Sequence, residues 1–305
     1  MQTIYNIVMQ YVQTFKFKLM SDNQQYHQMP CHTDSYHKGL PDLQAKEADI
    51  PYNCTASLVV YDNPPAMLES LLQSLPDNLH LVVVDNSPKA TLARFFAAYP
   101  QVTYRFVDRN LGYGKGHNLA VQLAGYADFH LVINPDIIMS PDSLPKMVAY
   151  LQQHPDIGLL APKILNSDGS IQYLNRRKPT VLDILLRRLP DRLLTTGLKQ
   201  RMAHHEMRDT DYTQLCEVES MSGAFMLLRR AAFEQAGGFD PRYFMYFEDF
   251  DLCNRLQQAG FATVYYPFAS VTHLWQRASA RQIRMTLTHI CSMIHYFNKW
   301  GWQWY

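Results

Sequence analysis

Three acids, Glu248, Asp249 and Asp251, run directly behind four aromatics and a methionine in the stretch YFMYFEDFDLC (243–253). A carboxylate buried without a partner is costly or takes up a proton. These acids must therefore turn away from the rings, be paired, or do chemistry such as general-base catalysis. The stretch EDFDLCNRLQQAG (248–260) reads as a helix start with a glycine stop that buries Leu252 and Leu256. Asp251 falls in its first turn, four residues ahead of Arg255, where the helix dipole and an ion pair give it a structural role. Glu248 and Asp249 lie at the helix entrance, beside an aromatic wall against which a sugar could stack. A base at a helix N-terminus is expected to have a low pKa, ionised but weak.

Further candidates lie where apolar strands end. Asp85-Asn86 closes HLVVVDNS (80–87), Asn110 to Asn118 (NLGYGKGHN) follows VTYRFVD (102–108), and Asn134-Pro135-Asp136 closes FHLVINPD (129–136). In open α/β sheets ligands sit beyond the carboxyl ends of the strands, so this shared placement says more than any one motif. Asp85 can accept from a base or ribose, or make an Asx turn. Gly112, Gly114 and Gly116 can cradle a phosphate or simply turn tightly. Their spacing and their position after the third strand fit a nicotinamide fingerprint poorly. Asp136 can hold a divalent cation bridging a diphosphate, or cap the helix that follows. His273, ending an apolar run, reads from spacing alone as structural.

The elements that must position these groups alternate. Strands at 56–61, 80–87, 102–108 and 129–136 are separated by helices at 63–75, 91–99, 117–126 and 140–154, an α/β pattern that predicts a mostly parallel central sheet covered on both faces. Strand-and-turn follows at 157–174 with an NSDG turn, then a basic, leucine-rich insertion at 176–208. Strands at 261–267 and 270–275 and a helix at 281–299 close the chain; Ile283, Leu287, Ile290, Ile294 and Phe297 form one helical stripe.

Composition narrows the classes. The 305 residues are 47% hydrophobic and 18% charged, with net charge +1, so no global field points to nucleic acid. Five scattered cysteines without a CxxC pair suit a reducing cytoplasm and argue against a zinc site or disulfide framework. No stretch approaches the roughly 18 apolar residues of a membrane span. Residues 1–50 are polar, weakly patterned and read as a mobile extension.

Taken together, VVVDNS (82–87), NLGYGKGHN (110–118), INPD (133–136), SGAFML (222–227), GGFDPRYFMYFEDFDLCNRL (237–256) and VTH (271–273) resemble the family 2 glycosyltransferases. Among these the chain is most similar to bacterial rhamnosyltransferases of polysaccharide assembly. The resemblance covers residues 55–295. It implies a GT-A nucleotide-sugar-binding fold over 51–275 and a C-terminal helical, membrane-facing extension over 276–305. It also implies that Asp249 is the base and that Glu248 positions the acceptor. Asp85 and Asn86 would face the nucleotide base, and Asn110, Gly112, Gly116 and Asn118 would lie along the nucleotide or sugar. Asn134 stands where the family has the first acid of its Asp-x-Asp motif, leaving Asp136, with His273, to hold Mg2+ or Mn2+. The implied reaction is inverting transfer from dTDP-L-rhamnose to an undecaprenyl-diphosphate-linked N-acetylglucosamine, as in O-antigen assembly. Competing expectations are the same fold with UDP-N-acetylglucosamine or UDP-galactofuranose, or a non-catalytic nucleotide-sugar-binding protein.

A lipid-linked acceptor implies a cytoplasmic protein peripheral at the inner face of the plasma membrane. The basic insertion 176–208 would lie on anionic headgroups. The tryptophans 275, 300, 302 and 304 would form an interfacial belt. The alternative is that these segments form a domain or homodimer interface.

Overall fold

The structure, a computed structural model, describes residues 53–274 and 283–305; the extension 1–50 and Trp275 lie outside them. Four strands build the first half: β1 (Cys54–Val60), β2 (His80–Asp85), β3 (Val102–Phe106) and β4 (Phe129–Ile133). They pair in parallel in the order β3-β2-β1-β4. The apolar runs of β1, β2 and β4 are buried on both faces, as parallel strands under crossover helices require, while the edge strand β3 is only partly buried. The helices between them are α1 (Pro65–Ser74), opened by proline, the four-residue α2 (Ala93–Phe96) and α3 (Tyr113–Leu123). Helix α3 begins four residues before the expected 117, inside the glycine-rich stretch.

The second half corrects the expectation of a mostly parallel sheet. Short β5 (Ile137–Met139) and α4 (Ser143–Gln153) lead to β6 (Ile157–Leu165). After the insertion, with α5 (Val181–Leu186) and α6 (Thr196–His205), come β7 (Cys216–Glu217) and β8 (Phe225–Arg229). β8 enters antiparallel between β4 and β6, and β6 pairs in parallel with β9 (Ala262–His273). β5 and β7 both join β9 antiparallel. The sheet is mixed because β8 inserts against the direction of its neighbours, which alternating strands and helices in sequence do not foretell. β9 is one strand where two were expected; its register against β6 shifts beyond Pro162–Tyr266, so a bulge absorbs the interruption.

Short α7 (Arg230–Gln235) and α8 (Glu248–Gln258) cover one face, and α9 (Ile283–Trp300) closes the described chain. A cluster of Val181, Ile184, Tyr243, Phe247, Tyr296 and Phe297 binds α9 to α5 and to the aromatic run before α8. Lys299 and Trp300 of α9 both reach Asp251, which also pairs with Arg255 at 2.7 Å. Asp251 is fully buried within this network, the structural role its position predicts. Among the described residues, no helix is long and apolar enough to cross a membrane.

Candidate active site

Strand directions bring the candidates to one edge. β1, β2, β4, β6 and β9 run the same way, and β8 starts where they end. The ends of β2 (Asp85), β4 (Asn134 to Asp136) and β9 (His273), with Gly223 before β8, therefore share the carboxyl edge of the sheet. The chain steps from β1 outward to β3 and returns on the other side with β4, making the switch point at which open sheets bind ligands.

At this edge Tyr113, the first residue of α3, is central. Its hydroxyl donates to the Gly223 carbonyl at 2.5 Å, and the Gly223 N–H donates to Asp249 Oδ2 at 3.0 Å. Burial, followed by the neighbouring carboxyls of Glu248, Asp249 and Asp136, holds the Tyr113 phenol well above the usual tyrosine range. The phenol therefore sits within the field of all three acids. A Cβ at Gly223 would meet the Tyr113 hydroxyl at 2.9 Å, so only glycine permits the approach. Sequence reasoning passed over both residues, though each sits inside a quoted motif.

Asp249 accepts a second hydrogen bond, from the Phe250 N–H at 2.9 Å. Glu248 is buried, and its Oε2 has no hydrogen-bond partner. Burial and then the charge of Asp249 push the Glu248 carboxyl well above its usual range. Asp249 is raised as well, by burial, with the two N–H donors opposing the shift. The expected low pKa is thus corrected: desolvation outweighs the helix N-terminus. In this coupled pair burial raises both carboxyls, Glu248 the further, while two N–H donors favour the ionised form of Asp249.

The aromatic run is likewise not one wall. Tyr243 and Phe247 are core residues, while Phe244 is 40% exposed. Tyr246 and Phe247 have φ of 72° and 65°, a left-handed conformation costing about 1–3 kcal/mol each. The segment is held on several sides. Phe244 O accepts from Tyr113 N–H at 2.9 Å, Met245 O from the Ser292 hydroxyl at 2.8 Å, and the Phe247 ring packs on Tyr296. This bend delivers Glu248 and Asp249 to the edge.

The glycine-rich stretch serves the same docking. Gly112 has φ +82°, and a Cβ there would lie 2.1 Å from Phe244 O; at Gly116 it would lie 2.7 Å from Val59. Asn110 Oδ1 accepts from Gly112 N–H at 2.9 Å in an exposed Asx turn. Asn86, buried, donates to Gly112 O at 3.1 Å. Asn118 grips the Phe239 main chain through both amide atoms, at 2.7 and 2.9 Å. Asp85 is sealed from solvent, with Oδ1 accepting from Ser87 N–H at 2.8 Å and Oδ2 from the Tyr104 hydroxyl at 2.5 Å. The Asx alternative is the geometry seen at Asp85.

Asp136 and His273 do meet. His273 Nε2 lies 3.3 Å from Asp136 Oδ1, and β5 pairs Ile137 with His273. Asp136 Oδ1 is buried and makes no aligned hydrogen bond. His273 Nδ1 is 2.6 Å from Gln172 Oε1. A buried carboxylate oxygen facing an imidazole nitrogen whose other nitrogen is held by a carbonyl matches the donor set of a divalent cation. Asn134 adds its main-chain N–H to Ala224 O at 2.9 Å. Among the described residues, no group of three or more acid, histidine or cysteine side chains surrounds a metal position, so the fit is to two protein ligands, Asp136 and His273.

A sequence model described as Glycosyltransferase like family 2 matches residues 65–291. The chain belongs to the family 2 glycosyltransferases. Among curated family members, it is 34% identical over 204 residues to the N-acetylglucosaminyl-diphospho-decaprenol L-rhamnosyltransferase of Mycobacterium tuberculosis, covering 62% of each chain. It is 28% identical over 216 residues to the rhamnosyltransferase WbbL of Escherichia coli K12, covering 68% of this chain and 78% of that one. The chain thus spans less than two thirds of the mycobacterial relative. Among solved structures it is similar to GalNAc-T7 with UDP, GalNAc and Mn2+ (TM-score 0.56, 16% identity, 74% of this chain and 44% of that one). It is also similar to the mannosyltransferase PcManGT of Pyrobaculum calidifontis with GDP-Man and Mn2+ (TM-score 0.54, 14% identity, 86% and 69%). These likenesses establish a GT-A-like fold for this family 2 member.

Proposed function

We propose that the chain is an inverting rhamnosyltransferase, moving L-rhamnose from dTDP-L-rhamnose to an N-acetylglucosamine carried on a lipid diphosphate in cell-surface polysaccharide assembly. The observation that carries this reading is the gathering at the carboxyl edge of the sheet of Asp249, bonded to the Gly223 N–H whose carbonyl takes the Tyr113 hydroxyl, and of the Asp136–His273 pair at 3.3 Å. The names of the mycobacterial and Escherichia coli relatives support the sugar and the acceptor.

Asp249 takes the proton of the attacking acceptor hydroxyl as its oxygen bonds to the anomeric carbon, and the bond to the diphosphate breaks on the opposite face. One displacement inverts configuration and needs one base. Its raised pKa makes Asp249 a stronger base than an exposed aspartate, while the Gly223 and Phe250 N–H groups keep it oriented. Glu248, protonated, can donate a hydrogen bond to a sugar oxygen. Asp136 and His273 would hold Mg2+ or Mn2+, which supplies charge stabilisation to the departing diphosphate. Asp85, Asn86, Asn110, Gly112, Gly116 and Asn118 shape the wall on the nucleotide side, largely by holding the glycine-rich segment in place.

Work at a membrane surface is part of the reading. Leu287, Ile290 and Ile294 of α9 are 40–56% exposed, as are Trp302 and Trp304 beyond it. Arg188 contacts Thr286 of α9 at 3.5 Å, so the leucine-rich basic segment with exposed Leu185, Leu189 and Leu193 adjoins that face. Such a surface suits a peripheral protein at the inner leaflet.

The test is transfer of labelled rhamnose from dTDP-L-rhamnose to synthetic undecaprenyl-diphospho-N-acetylglucosamine, with UDP-N-acetylglucosamine and UDP-galactofuranose as rival donors. Turnover with dTDP-L-rhamnose alone is expected; turnover only with a rival donor would overturn the donor assignment.

A further inference from the structure

A chain of side chains runs from His273 to the surface turn that follows β6. Gln172 Oε1 lies 2.6 Å from His273 Nδ1, and Gln172 Nε2 donates to Asn166 Oδ1 at 2.8 Å. Asn166 Nδ2 donates to the Ser170 hydroxyl at 2.9 Å, and that hydroxyl donates to Asp168 Oδ1 at 2.6 Å. The turn is itself fixed: Asn166 N–H bonds to Ser170 O at 2.8 Å, Gly169 takes φ +81°, and Gln172 N–H bonds to Ile164 O at 2.8 Å.

The direction of this chain is not arbitrary. A serine hydroxyl has one proton, and an ionised carboxylate can only accept. Hydrogen bonds from the Ser170 hydroxyl and N–H hold the Asp168 carboxyl below its usual range. The Ser170 proton therefore points to Asp168, and Ser170 must accept from Asn166. Asn166 then turns its carbonyl to Gln172, and Gln172 turns its carbonyl to His273. Reversing every amide would require Ser170 to donate twice, or would press lone pairs together across 2.6 Å. Nδ1 of His273 must be the donor, and in the neutral ring Nε2 presents a lone pair to Asp136 Oδ1. Two acceptors then face each other at 3.3 Å, an arrangement that invites a cation between them.

We propose that Gln172 is a positioning residue, which, anchored by the Asn166–Ser170–Asp168 turn, fixes the Nδ1–H tautomer of His273 and so turns its Nε2 lone pair and Asp136 onto one divalent cation. This rests on the cation-assisted reading above and extends it to residues outside the quoted motifs. Without Gln172 the ring is free to protonate Nε2 instead and donate to Asp136, which closes the pair on itself. Residues that orient a metal-bound histidine in this way are worth about 10- to 100-fold in metal affinity.

The test uses the full chain with Mn2+ as probe. In mildly alkaline buffer, where imidazoles are neutral, long-range 1H–15N correlation spectra distinguish the two tautomers; His273 is assigned by the loss of its signals in His273→Asn. Wild type and Gln172→Glu, which keeps an acceptor against Nδ1, are expected to show Nδ1–H. Gln172→Leu is expected to shift to Nε2–H and to bind Mn2+ about 10- to 100-fold more weakly by electron paramagnetic resonance. Ser170→Ala, on the exposed turn, is expected to give both tautomers. Nε2–H in the wild type, or Gln172→Leu with an unchanged tautomer and Mn2+ affinity, would overturn the proposal. Nδ1–H in the wild type, lost in Gln172→Leu, without Mn2+ uptake by either would support the positioning role while overturning the cation reading of the preceding section.

Discussion

Glu248 and Asp249 are adjacent in sequence and, in the proposed reaction, divide one task. Because burial raises the Glu248 carboxyl well above its usual range, Glu248→Gln mimics the protonated form that burial favours and is expected to keep kcat within about tenfold of wild type. Asp249→Asn removes the base and is expected to lower kcat by about 10²–10⁴-fold. Equal losses in both variants, in the dTDP-rhamnose assay, would sink this division of roles. The pH profile carries the same information. Asp249 must be ionised to act and its pKa is raised, so kcat/KM is expected to fall on the acid side at a higher pH than an ordinary aspartate would give. Stability moves the opposite way. A carboxyl raised in the folded state binds protons that the unfolded chain has released, so stability is greatest below the unfolded value of 4.5 and declines as pH rises toward the folded value. Glu248→Gln is expected to flatten that decline in denaturant titrations.

At the scale of elements, the glycine-rich start of α3 and the bend before α8 form one device. Gly112, Gly114 and Asn118 meet Phe244 and Phe239 main chain or ring, so each motif is required by the other. Gly112→Ala combines a positive φ with a Cβ 2.1 Å from Phe244 O. It is expected to destabilise by more than about 2 kcal/mol and to disorder Glu248 and Asp249, as read by thermal unfolding and activity together. Gly197→Ala in α6, where a Cβ meets nothing within 4 Å, is the control: it is expected to be neutral or to stabilise by about 0.5–1 kcal/mol. A Gly112→Ala chain as stable as Gly197→Ala would refute the coupling.

For the whole molecule, the question is what covers the apolar face of α9. Leu287→Glu with Ile290→Glu is expected to abolish flotation with phosphatidylglycerol vesicles while leaving dTDP-rhamnose binding intact. Raised salt is expected to weaken flotation of the wild type, since the adjoining arginines are screened within about 10 Å at 0.1 M. Several arginines of that segment are already committed. Arg176 is buried against Tyr173 and Asn175 carbonyls, and Arg201 pairs with Asp183 at 2.7 Å. Arg187, Arg188 and Arg192 are exposed, as is Arg208, which pairs with Glu206, and charge reversal at the first three is expected to reduce flotation. Unchanged flotation of both sets of variants would remove the membrane from the proposal.

The first half of the sheet was legible because β1, β2 and β4 are apolar runs that only a doubly covered parallel sheet can bury. The helix of Glu248, its glycine stop and the Asp251–Arg255 pair were legible because they depend on neighbours three to five residues away. The partners of β8, the sealing of Asp85 by Tyr104 and the pairing of Gln172 with His273 were not legible, since each joins segments 19 to 101 residues apart. The raised pKa of Asp249 belongs with these: the helix dipole is local, but the desolvation that overrides it comes only with burial in the folded chain. Sequence alone determined which residue types are candidates for chemistry and toward which edge of the sheet they gather. Tertiary structure decided their burial, the direction of their pKa shifts and their partners, because burial and long-range hydrogen bonds exist only once the chain has folded.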